Sequence, residues 1–236
     1  MIARAVGRGF GQEAEGQERK VSKSKDAPNL GRMLNGCPLF FVGDDTAVNV
    51  AVAEAAAANL RGYTPLSASH VVGQMNGVED ADAVADAEGE DAAALAEAAV
   101  LESASTFIRT AVACRGGGQG AAARGACWRH IFAGVSVWLD GRGAKAKPLP
   151  QDEAYSLAEV KVVFDAGADP ARTAQAILPK VEEALAALLT NYANESKKRG
   201  MPEAQQSLAS KKLLYVKLGA RGDWPDLAPP EWQPDD

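Results

Sequence analysis

The sequence predicts a three-layer α/β fold: a parallel sheet of five strands with helices on both faces, plus an added strand near the C-terminus. Three observations carry that expectation. Short apolar runs alternate with helix-forming stretches across residues 37–192, the pattern of βα units joined by crossovers. The runs are nearly continuously apolar, as strands covered on both faces are. The first run ends in a glycine that leads straight into a helix.

In order, residues 37–42 (Cys-Pro-Leu-Phe-Phe-Val) read as a buried first strand, Gly43 opens a turn, and Thr46 starts an alanine-rich helix reaching about Leu60. Residues 62–66 read as a short second strand, 78–91 as an acidic alanine-rich stretch and 92–105 as a helix. Residues 109–114 form a third strand running into Gly116-Gly117-Gly118-Gln119-Gly120. A helical turn or two at 128–133 leads to a fourth strand at 135–139, and a Gly/Lys/Pro stretch at 141–150 to a fifth at 159–164. A long helix then runs from Pro170, which suits a first turn, to about Tyr192, with Pro179 a point of kinking. Residues 193–210 read as a polar connector and 212–218 alternate like a final strand. Residues 1–34 are thus expected as a flexible lead-in, 35–192 as the domain and 193–236 as an extension. Trp224 and Trp232, among the prolines and acids of the tail, either clamp it to the domain or form an exposed docking motif.

Composition limits the function classes. The 236 residues are 47% hydrophobic but only 6% aromatic, so the core leans on alanine. A net charge of -6 and a pI near 5.1 argue against nucleic-acid binding through a broad basic face. No apolar run approaches the roughly 18 residues of a membrane span, so a soluble chain is expected. Cys37, Cys114, Cys127, His70 and His130 form no metal-spaced cluster, and no metal site is expected. The cysteines near strands read as small buried residues, and an odd count suits a reducing compartment. The first twelve residues carry Arg4 and Arg8 and no acid, as the end of an organellar transit peptide would.

The loop from 43 to 50, Gly-Asp-Asp-Thr-Ala-Val-Asn-Val, occupies the frame of the phosphate-cradling motif G-x-x-x-x-G-K-[ST]. Laid on it, the second glycine is Val48, the lysine is Asn49 and the magnesium-binding hydroxyl position is Val50. Asparagine brings no cation to a phosphate, and Asp44 and Asp45 add negative charge where a polyanion would lie, at about 1 kcal/mol each in water. The same residues also read as a helix start, with Asp45 or Thr46 as the cap.

Residues 35–190 resemble the shikimate kinases, P-loop kinases of aromatic amino acid biosynthesis. The resemblance rests on 39–43, on Gly89-Glu90 followed by Val100-Leu101, on the glycine triplet and on Val137-Trp138-Leu139-Asp140. The stretch 212–226, with 63–66, 99–103 and 118–122, is similar to the plant-type chloroplast shikimate kinase-like proteins, a group regarded as inactive. Those plant proteins also carry an N-terminal CS-type domain, for which a chain of this length leaves no room.

The resemblance implies where working residues should fall. The family ends its second strand with Asp-x-Asp for substrate and magnesium, where this chain has Ser67-Ala68-Ser69. Its Gly-Glu-x-x-Phe-Arg-x-x-Glu motif is matched at Gly89, Glu90 and Glu97, but the Phe-Arg pair is Ala93-Ala94, without the substrate-gripping guanidinium. Its arginine-bearing lid has no counterpart between Leu139 and Glu159, where Arg142, Lys145 and Lys147 are the only cations. Gly116, Gly117 and Gly118 survive, either as a substrate-pocket floor or as a turn needing positive φ. Arg115 and Arg124 stand off the motif, and His70 and His130 read as packing or surface groups. The resemblance therefore implies a chain without catalytic residues or cofactor, a binding or regulatory module of the chloroplast stroma with a protein partner still to be identified. Its alternative is a residual shikimate-phosphorylating enzyme using Mg-ATP.

Overall fold

The computed structural model describes residues 29–218. Five parallel strands, β1 (Leu39–Val42), β2 (Thr64–Ser67), β3 (Thr110–Ala113), β4 (Val135–Asp140) and β5 (Val160–Val163), form one sheet in the order β2-β3-β1-β4-β5. Central β1 is buried throughout and pairs with both neighbours, Phe41 opposite Ala113 and Val137. Because the strands are parallel, all five deliver their C-terminal ends to one edge, where α/β sheets place ligands.

Alternation along the strands splits the interior into two cores. Leu39, Phe41, Ala113, Val137 and Leu139 face α2 (Thr46–Asn59) and α8 (Pro170–Lys198). Phe40, Val42, Val112 and Trp138 face the other helices: α3 (Ala68–Asn76), α4 (Ala81–Glu88), α5 (Glu90–Ala104), α6 (Trp128–Ile131) and α7 (Asp152–Tyr155). The three-layer arrangement and the five strands agree with the sequence expectation. Cys37 and Cys114 are fully buried, with burial pushing the Cys37 thiol up to about 12.

Three expectations are corrected. The added strand at 212–218 is instead helical: α9 spans Leu208–Leu218. The residues that bury there, Leu208, Ala209 and Lys212, follow helical spacing, and Lys212 sends its ammonium to the Phe132 carbonyl and the Glu159 carboxylate. These anchors precede β4 and β5, so α9 closes the end of the sheet opposite its C-terminal edge. The connector at 193–210 is shorter than expected, because α8 continues to Lys198 with two lysines in its last turn and a positive-φ turn at Gly200. The last part of the 1–34 lead-in is ordered: Asn29 caps α1 (Leu30–Leu34), and Leu34 is fully buried in the first core. Trp224, Trp232 and residues 1–28 lie outside the described residues. No described helix is long and apolar enough to cross a membrane.

Candidate functional site

The loop after β1 is closed by contacts to every neighbouring strand end. Gly43 admits no side chain, since a Cβ would stand 2.4 Å from the Leu139 carbonyl oxygen. Asp45 takes extended backbone at the α2 N-cap and accepts a hydrogen bond from the Val48 N–H at 3.0 Å. Its carboxylate therefore sits where a bound anion would meet the helix N-terminus. Thr46, the other candidate cap, turns aside, and its Oγ1 accepts from the Gly116 N–H at 2.9 Å. Asn49, in the lysine position, is 1% exposed and donates through Nδ2 to the carbonyls of Gly43 (3.1 Å) and Cys114 (3.0 Å). It ties the ends of β1 and β3 together.

The glycine triplet lies directly on this loop. Gly117 and Gly118 have φ of 79° and 72°, so the turn reading of these residues holds in geometry. Gly116 is required for a different reason: a Cβ there would meet the Asp44 carbonyl oxygen at 2.4 Å.

The positions at the second strand and α5 are used inside the fold. Ser67 caps α3 by accepting from the His70 N–H, and Ser69, buried, accepts from the Ala81 N–H, each at 3.2 Å. Ala94 is 1% exposed, packed on the inner side of α5. The structural roles of Glu97 and Arg115 go beyond what the sequence motifs indicate. Glu97 is fully buried and accepts from the N–H groups of Arg115 and Ala121, both at 2.6 Å, so one carboxyl holds both ends of the glycine loop. Burial drives its pKa up to about 7 against the pull of those two N–H groups. Arg115, itself buried, reaches Asp82 and Glu90 at 2.7 Å each, and its hydrogen bond holds the Glu90 carboxyl below the usual range. The legible signal was a cation immediately before a glycine triplet, with acids at 82, 90 and 97.

Residues 141–159, where the lid was expected to be missing, fold back over the mouth of the loop. Arg142 joins Asp140 (2.8 Å) and Asp152 (2.9 Å), with Asp44 at 3.6 Å. Gln151 donates to Asp44 Oδ1 at 2.9 Å and rests on Gly118. Burial acts to raise the Asp140 carboxyl, but Arg142 and Lys161 together hold it below its ordinary range. Tyr155 of α7 is fully buried against Trp138, with ring centroids 5.9 Å apart. Lys145 and Lys147 point to solvent. His70 is exposed beside Gln74, and Arg124 pairs with exposed Asp91. Among the described residues no group of His, Cys, Asp and Glu is arranged to hold a metal ion.

An opening strand–loop–helix, a glycine triplet after the third strand and a closed segment between the last two strands meet at one edge of a three-layer α/β domain. Its sequence likeness is to the shikimate kinases and their relatives. The chain is 34% identical over 203 residues, 86% of its length, to an Arabidopsis thaliana chloroplast protein described as probable inactive shikimate kinase like 2, and it spans 51% of that protein. It is 27% identical to the shikimate kinase of Synechococcus elongatus over 69% of its own length and 94% of the enzyme's. Among solved structures, a shikimate kinase from Acinetobacter baumannii in complex with shikimate aligns over 65% of this chain and 97% of its own, at 20% identity and a TM-score of 0.48. The Aquifex aeolicus shikimate kinase aligns over 61% and 96%, at 18% identity and a TM-score of 0.45. No family model matches the chain. The chain is thus similar in sequence to the shikimate kinase-like proteins across most of its length.

Proposed function

We propose that this chain is a catalytically inactive shikimate kinase-like module of the chloroplast that acts by binding a partner. One observation carries the reading: the anion-binding end of α2 is taken by the Asp45 carboxylate, and the neighbouring lysine position by a buried asparagine serving the backbone. Phosphoryl transfer depends on positioned cations around the transferring group. Here Arg142 is held by Asp140 and Asp152, and Arg115 by Asp82 and Glu90, so neither is free to do that work. The residues present do not fit Mg-ATP. The chloroplast assignment is supported by the description of the Arabidopsis relative.

The second reading is a residual shikimate-phosphorylating enzyme, favoured by the 27% identity to the Synechococcus enzyme over nearly all of that protein. Thermal denaturation with Mg-ATP or Mg-ADP, together with shikimate-dependent ADP release, separates the two. A native-state ligand raises stability by mass action, so no shift at several millimolar nucleotide and no ADP release are expected. Turnover that depends on residues 43–50 would reverse the conclusion.

A further inference from the structure

Among the described residues, seven large hydrophobic side chains stand in solvent, and only two of them are consecutive: Phe107 and Ile108, 42% and 61% exposed. They belong to the turn between α5 and β3, at the end of the sheet opposite its C-terminal edge. That turn is pinned. The Phe107 N–H donates to the Ala104 carbonyl and the Arg109 N–H to the Gly36 carbonyl at 2.7 Å, while the Arg109 carbonyl accepts from the Thr64 N–H at 2.9 Å. Arg109 holds its place with a φ of 54°, in the left-handed region that a residue with a Cβ seldom adopts. Backbone held in such a region points to a use for the fixed geometry. Here it keeps two adjacent apolar groups turned outward on a rigid platform. Charge lies beside them. The Arg109 side chain crosses Gly36 and Gly62, and Arg61 is exposed next to Gly62. Neither guanidinium pairs with a carboxylate among the described residues.

The complement of this platform follows α9 in the sequence. Residues 222–236 hold Trp224, Trp232 and five acids (Asp223, Asp226, Glu231, Asp235 and Asp236), with no Lys or Arg. In Asp223-Trp224-Pro225-Asp226 an indole has a carboxylate on either side. α9 delivers this stretch to the correct end of the molecule. Lys212 sits beneath β4 and β5 on the Phe132 carbonyl and Glu159, and β3 lies two strands from β4, about 10 Å in strand spacings. Leu218 is about 9 Å along the helix from Lys212. Residues 219–224 then span up to about 20 Å, enough to bring Trp224 to the turn. We propose that the tail folds back under the sheet and docks Trp224 on Phe107 and Ile108, with Asp223 and Asp226 facing Arg61 and Arg109. An indole beside a guanidinium adds a cation–π attraction to the apolar contact. Residues 1–28 are the poorer occupant of a basic platform, because Arg4, Arg8, Arg19, Lys20, Lys23 and Lys25 outnumber their four acids.

Docking of the tail stands whether or not a nucleotide binds at the opposite edge of the sheet, so it goes beyond the non-catalytic reading. Two-dimensional NMR of the full chain tests it. Nuclear Overhauser contacts are expected between the Trp224 indole and the Ile108 methyl groups. Trp224→Ala should shift the amides of residues 61–62 and 106–109 and leave those of 43–50 in place. The paired change Phe107→Ser and Ile108→Ser, at exposed positions, should abolish the indole contacts at an unchanged melting temperature. It should also speed tryptic cleavage after Arg221 at least about fivefold, because cleavage follows the population of the undocked tail. Missing contacts, amides at 106–109 indifferent to Trp224→Ala, or unchanged cleavage in the serine variant overturns the proposal. Contacts to residues 1–28 instead of Trp224 overturn it as well. So do shifts that grow with protein concentration alongside a doubled mass in sedimentation, which would give the platform to a second copy of the chain.

Discussion

At position 49 an amide replaces the ammonium that the loop's frame would supply, and the amide is spent on the backbone. Its Nδ2 satisfies two buried carbonyls at the ends of β1 and β3. Leaving such groups unpaired costs about 1–3 kcal/mol each. Asn49→Leu is therefore expected to lower the melting temperature by roughly 5–15 °C, at about 2–4 °C per kcal/mol for a domain of this size. A scan showing no change would mean that the clamp is idle. Glu97 carries a pH prediction. Its folded-state pKa, about 7, lies above the ordinary carboxyl value of 4.5, so the native state binds the extra proton between those values. Stability from this group is then fully present below about pH 4.5 and falls as pH rises through 7, by on the order of 3 kcal/mol. The sign is opposite to that of a salt-bridged carboxylate. His130, whose pKa is lowered by burial, works the other way as its site resists protonation at low pH. The Glu97→Gln variant isolates the carboxyl: urea midpoints at pH 5 and pH 8 should differ less in the variant than in the wild type. An unchanged difference would mean that Glu97 titrates normally.

Elements differ in how well the sequence announces them. Strands β1, β3 and β4 were legible because burial on both faces makes each a compact apolar run, and α2 because Asp45 precedes an alanine-rich stretch. The segment 212–218 was misread because Lys-Leu-Leu-Tyr-Val-Lys-Leu satisfies a two-residue period as well as a helical one. What decided it was tertiary: Lys212 finds Glu159 and the Phe132 carbonyl beneath the sheet, a partner no local pattern contains. Breaking a buried pair from one side strands the other charge. Lys212→Ala is expected to cost about 2–4 kcal/mol and to release amide exchange first in α9, with β1 and β3 still protected. Uniform loss of protection would mean that α9 does not open separately. The glycine triplet was legible as a turn, yet the need at Gly116 is for closeness, since the Asp44 carbonyl leaves no room for a methyl group.

For the molecule as a whole, the features on which the non-catalytic proposal rests are spread over three places that share one edge of the sheet. The loop after β1 is capped by its own carboxylate, Ser67 and Ser69 are absorbed into α3 and its surroundings, and residues 141–159 are pinned across the mouth by Arg142 and Gln151. The first two were readable from residue type alone. The third was not, because the pairing of Arg142 with Asp140 and Asp152 depends on how β4 and β5 deliver those residues. If the closure is collective, repairing the motif by itself will not restore the site. The triple variant Val48→Gly, Asn49→Lys, Val50→Thr recreates the phosphate-loop sequence but leaves Asp45 on the helix N-terminus and Gln151 over Gly118. No melting shift with Mg-ATP up to several millimolar is expected from it. Adding Asp45→Ser keeps a capping hydroxyl while removing the resident charge, and should produce saturable binding of inorganic phosphate at low salt, weakening as salt rises. Shikimate turnover should still be absent, since neither a carboxylate at 67 or 69 nor a guanidinium at 94 has been supplied. A clear nucleotide shift in the triple variant alone would mean that the lost lysine and glycine were the whole defect, and that the closed segment yields readily to a ligand.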